Sequence, residues 1–128
     1  MENGRIAVPS NGEGGLNSTR SEHFGHCDVF TLIDVENGAI TNESTVKNAE
    51  HGHGGCMVPV NLLAEQKVNA IVVGGIGRRP LDGFTQVGIE VYFDSVNSQV
   101  KTVVEHLIAN KLEKISLDQA CGGGGNCH

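Results

Sequence analysis

The chain has 128 residues, enough for one domain with its own core and too few for two. A formal charge of −6, with nine Lys and Arg in all, argues against a nucleic-acid binder, whose affinity comes largely from neutralised phosphates. No apolar run approaches the ~18 residues of a membrane span, and the opening Met1-Glu2-Asn3-Gly4-Arg5 lacks the basic-then-apolar form of a secretion signal. A cytoplasmic chain without a membrane or nucleic-acid partner is therefore expected.

Arg5-Ile6-Ala7-Val8-Pro9 reads as a short first strand stopped by proline. Residues 10–27 form a long Gly/Ser/Asn-rich loop, a length that goes with function or disorder. Val29 to Val35 is apolar on both faces, as in a central strand. Asn37-Gly38 then signals a hairpin, because both residues tolerate positive φ. Ala39 to Val46 returns as a polar edge strand, and residues 47–55 make a second loop of glycine and histidine.

From about Cys56 to Lys67 the pattern becomes helical, with Met57, Val60, Leu63 and Ala64 on one stripe. Ala70 to Val73 is a buried strand that stops at Gly74-Gly75. A short helix from about Pro80 to Gln86 leads to a strand over Ile89–Phe93. Val100, Val103, Val104, Leu107 and Ile108 mark the clearest helix; His106 lies off that stripe and reads as a solvated surface residue. The α/β domain thus spans residues 1–110, and residues 111–128 read as a flexible tail containing Cys, Gly and His.

Two strand–helix–strand units imply parallel pairing with right-handed crossovers, and the hairpin adds an antiparallel pair. The expected architecture is a single-domain α/β layer fold with a five-stranded mixed sheet, ordered third, second, first, fourth, fifth. In that order the loops after strands one, three and four open at one carboxyl edge, where open α/β sheets bind ligands.

Five of the six histidines lie within five residues of a cysteine. The first cluster is His23-Phe24-Gly25-His26-Cys27, and the second is His51-Gly52-His53-Gly54-Gly55-Cys56. Imidazole and thiolate bind borderline-soft metals and iron–sulfur clusters, while glycine lets backbone N–H groups approach an anion. Against this, Cys27 also fits a small buried hydrophobe at a strand start. The third cluster, Cys121 with Cys127 and His128 around a run of four glycines, fits either an added ligand set or a mobile end. It has no standard zinc spacing.

A rival signal is Gly74-Gly75-Ile76-Gly77-Arg78-Arg79-Pro80, which follows a strand and precedes a helix. Asp94 lies 19 residues beyond Gly75, which resembles a dinucleotide fingerprint in placement, although Pro80 replaces its third glycine. The same turn suits any anion, with Gly74, Gly75 and Gly77 offering backbone and Arg78 offering charge. A nucleotide- or phosphate-binding enzyme is therefore one alternative, and a zinc-binding regulatory domain is another. There is no nucleophile elbow and no phosphate-loop lysine, so a binding or carrier protein is expected rather than a catalyst.

The Ser/Gly loop leading into His23-Phe24-Gly25-His26-Cys27-Asp28-Val29-Phe30, the hairpin, the His/Gly loop and Ile71-Val72-Val73-Gly74-Gly75-Ile76-Gly77 occur here in a telling order. Together they resemble the dinitrogenase iron–molybdenum cofactor biosynthesis domain family over roughly residues 5–109. That resemblance implies a ribonuclease H-like fold and a cytoplasmic, nitrogenase-accessory-like role in cofactor biosynthesis. It further implies binding of an anionic metal–sulfur cluster, iron–sulfur or molybdenum-containing (molybdenum–copper–sulfur included), without turnover. The partners implied are proteins that donate or accept the cluster. Carried over by position, His23–Cys27 and His51–Cys56 would line the cluster site. His26 and Cys27 depart from the small residue that many members have soon after Phe-Gly, and the Cys121…Cys127-His128 tail is an addition.

Overall fold

A computed structural model describes residues 3–21, 27–48, 57–94 and 96–115. The elements run β1 (Gly4–Ser10), β2 (Val29–Glu36), β3 (Ala39–Lys47), α1 (Met57–Glu65), β4 (Ala70–Val73), α2 (Arg78–Gln86), β5 (Glu90–Phe93), α3 (Val100–Ile108) and β6 (Glu113–Lys114). They form one mixed sheet in the order β3-β2-β1-β4-β5-β6. Pairing is antiparallel from β1 to β2 and from β2 to β3, then parallel from β1 through β4 to β5.

The five expected strands are present in the expected order, and the sheet has six rather than five. The sixth, β6, pairs antiparallel with β5, placing Lys114 beside Tyr92 and Glu113 beside Phe93. Residues 111–115 were expected to open the flexible tail. Instead Ile115 donates its N–H to Val91 O and is buried in the core. Burying that one isoleucine holds the chain against the sheet, a longer-range gain than any local pattern expresses.

Period-two alternation divides the core between the two faces of the sheet. Ala7, Ile71, Val73 and Val91 pack with Val60 and Leu63 of α1 and with Leu81 and Phe84 of α2. Ile6, Val8, Ala70 and Val72 point the other way, onto Val100, Val103, Val104 and Leu107 of α3. Asn37 and Gly38 take φ of 52° and 76°, the left-handed pair that a tight hairpin requires.

Pro9 does not stop β1; the register continues to Ser10 opposite Val29. The β1–β4 ladder covers Ile6 and Ala7, and Pro9 O accepts from Ser21 N, so the missing proline N–H faces a loop rather than a neighbouring strand. The described part of the long loop is tightly tied. Asn11 N–H donates to Thr19 O, while Leu16 O and Ser18 O accept from Lys101 N and Val100 N at the start of α3. These carbonyls serve a helix end that has no side-chain cap.

Candidate functional site

Because β1, β3, β4 and β5 run parallel, their carboxyl ends share one edge, at Ser10, Lys47, Val73 and Phe93. β2 starts at that edge, with Val29 registered against both Ser10 and Lys47. Cys27 just precedes β2, and the Gly74–Gly77 turn follows β4, so the sheet brings these two predicted features to one side of the molecule. Of the other predicted site residues, His23, Gly25, His26, His51, His53, Gly54, Gly55, Cys56, Cys121, Cys127 and His128 lie outside the described residues. The flanks of both His/Cys segments, Ser21 and Cys27 for one and Asn48 and Met57 for the other, belong to this edge by their place in the topology. Among the described residues no group of three His, Cys, Asp or Glu side chains could hold a metal ion.

Cys27 is a buried member of the core on the α1–α2 side. Asn48 Nδ2 donates to its carbonyl at 3.0 Å and approaches its sulfur at 3.6 Å. Burial pushes the thiol up to about 12, against backbone N–H groups that favour the thiolate. In this arrangement Cys27 is a protonated, packed thiol; ligating a metal would require the proton to leave as the metal arrives.

The glycine turn has the features of an anion cradle. A Cβ on Gly75 would meet open space, so the backbone there is accessible to a ligand. Gly77 occupies the N-cap of α2 with φ −73° and ψ 160° and no side-chain cap bond. The first turn of α2 carries no acid, and Arg78 and Arg79 are exposed there. Uncapped N–H groups, the positive end of a helix and two cations all favour negative charge.

Beneath this turn lies a network that the sequence reading did not anticipate. Arg20 is 7% exposed, and its guanidinium occupies the space where a Gly74 side chain would begin. It donates from Nε and Nη2 to Asn97 O, at 3.2 and 3.0 Å, and from Nη1 to Ser21 O. Asp94, which sequence placement offered as a ribose-binding acid, is buried at the end of β5. Its Oδ1 accepts from Val96 N and Asn97 N, and its Oδ2 from Asn97 Nδ2, all at 2.9 Å. Burial pushes the Asp94 carboxyl up, but these donors and the nearby Arg20 charge outweigh it, leaving Asp94 below its ordinary value. His106 is half-buried rather than merely solvated, with Nδ1 at 3.1 Å from Asn97 Nδ2. Arg20 and Asp94 are 74 residues apart in the chain, so no local spacing could have announced their association.

The dinucleotide reading needs Asp94 to accept from a ribose, and both of its oxygens are already engaged by its own turn. The turn itself remains suited to an anion of another kind. Residues 4–110 match the family described as dinitrogenase iron–molybdenum cofactor. The chain belongs to that family. An uncharacterised Methanocaldococcus jannaschii protein, MJ0580, is 36% identical over 114 residues, covering 86% of this chain and 90% of that one. The Thermotoga protein TM1290 is 26% identical with a TM-score of 0.71, covering 87% of this chain and 92% of the other. The apo form of the orange protein from Desulfovibrio gigas, at 21% identity, has a TM-score of 0.76 over 91% of this chain and 96% of its own, which shows the shared fold. Membership in the cofactor family links the chain to metal–sulfur cofactor maturation. No helix among the described residues is long and apolar enough to cross a membrane.

Proposed function

We propose that this family member binds an anionic metal–sulfur cluster at the carboxyl edge of its sheet and carries it between proteins, without catalysing a reaction on it. The observation that carries this reading is the convergence at that edge: an uncapped glycine turn with Arg78 and Arg79 beside the flanks of two His/Cys segments. The cargo is iron–sulfur or molybdenum-containing, with sulfide as part of the cluster. Glycine N–H groups and arginines compensate its charge, while His23, His26, His51, His53 and Cys56 supply imidazole and thiolate anchors. Mostly imidazole anchors in glycine-rich segments suit a cargo that must be released, whereas a closed four-cysteine cage retains its metal.

The test is titration of the oxygen-free protein with tetrathiomolybdate, a small anionic metal sulfide, followed by its visible absorption. The wild type is expected to bind, and a combined His23→Ala, His53→Ala and Cys56→Ala variant to lose that binding while remaining folded. Unchanged binding in the variant would overturn the assignment of anchors. Zinc binding without sulfide affinity would instead favour a regulatory metal domain, and nucleotide binding would favour the glycine-turn enzyme.

A further inference from the structure

Hydrogen bonds, and one packing contact at Gly74, connect α3 to the glycine turn. Asn97 Nδ2 has two hydrogens: one reaches Asp94 Oδ2 at 2.9 Å, and the other points to His106 Nδ1 at 3.1 Å. An ionised carboxylate only accepts, so the contact with Asp94 fixes which end of the Asn97 amide faces inward. In this arrangement His106 Nδ1 faces a donor and serves as the acceptor. On the other side of the same residue, Asn97 O and Ser98 O hold Arg20 through its guanidinium and its N–H. Arg20 in turn packs against Gly74.

We propose that His106 is a positioning residue for the Gly74–Gly77 turn, acting through Asn97 and Arg20, and that protonating it loosens the turn. Protonated imidazole carries N–H on both nitrogens, so Nδ1 no longer accepts and meets the Asn97 amide donor to donor. Asn97 either loses that bond or rotates to offer Oδ1, which withdraws Nδ2 from the buried Asp94. Both outcomes disturb the 96–99 segment that clasps Arg20. The charged groups that line one pocket with the ring, of about 390 Å³, are Asp94 from the end of β5, Lys111 from the segment before β6 and Glu113 from β6 itself; on α3 the neighbouring charge in sequence is Glu105. Proton uptake at Nδ1 is thereby coupled to the geometry of the turn. Its consequence for cargo rests on the carrier reading above; the coupling itself does not.

The test follows the Gly74 and Gly75 amides and the His106 ring by nuclear magnetic resonance of the full, cargo-free chain from pH 8 to pH 5. The glycine amides are expected to shift with the midpoint of the His106 ring. His106→Asn keeps an acceptor close to the Nδ1 position without titrating, and is expected to abolish that shift. Asn97→Ala cuts the path in the middle, so the ring should still titrate while the glycines stay still. Glycine amides that hold still while wild-type His106 titrates, or that titrate equally in His106→Asn, would overturn the proposal. Failure of the chain to bind any metal sulfide would sink the carrier reading and leave this result standing.

Discussion

The guanidinium of Arg20 takes the place of a side chain on Gly74, so the loop after β1 and the turn after β4 are built around each other. Gly74→Ala would put a methyl group into that guanidinium, whose bonds to Asn97 O and Ser21 O leave it little room to yield. Overpacking of this kind costs about 1–3 kcal/mol. Urea denaturation is expected to show that loss, and Gly75→Ala, whose Cβ meets open space, is expected to show a much smaller one.

At the opposite edge of the sheet, Arg5 Nε donates to Asp34 Oδ1 at 2.7 Å and Nη2 to Oδ2 at 3.3 Å. The Arg5 hydrogen bond holds Asp34 below its ordinary carboxylate value, against some desolvation. The folded value is depressed, so the pair's contribution is present above the unfolded value of about 4 and lost as pH falls through the folded one. Both side chains are about 30% exposed, which limits the effect to about 1 kcal/mol or less. Asp34→Asn is expected to lower stability at pH 7 and to flatten the loss between about pH 5 and pH 2. Urea midpoints across that range check it; an unchanged acid slope would contradict it.

Local chemistry made much of the fold legible. Asn37-Gly38 has the left-handed φ values its composition suggests, and the valine–leucine stripe of α3 is the buried one. The order β3-β2-β1-β4-β5 follows from two crossovers and one hairpin, and with it the shared carboxyl edge. What escaped depends on distant partners. β6 is two charged residues with no strand pattern, placed by the burial of Ile115. Nothing local says that the fold buries Arg20 and Asp94 near each other, and His106 is off the apolar stripe yet drawn in by Asn97. Cys27 shows the same ambiguity at the site, since its place beside a His-rich segment and its place in the core are both real.

The division of the core between two faces gives a third expectation. Phe84 of α2 is fully buried on the α1–α2 side, and Phe84→Ala should cost about 3–5 kcal/mol through lost burial and a residual cavity. Val96 is 87% exposed, and Val96→Ser should stay within about 0.5 kcal/mol of wild type. Urea denaturation of the two variants side by side checks the contrast; equal losses would contradict the packing of Phe84 against the sheet.

Carriage of a metal–sulfur cluster is the property on which the proposed function stands. Its most direct test is elemental analysis with acid-labile sulfide, on protein purified without oxygen, chelator or added metal. Iron or molybdenum approaching stoichiometry and accompanied by sulfide is expected, with both lost together in the His23→Ala, His53→Ala and Cys56→Ala variant. Zinc without sulfide, or cluster content unchanged in that variant, would contradict it.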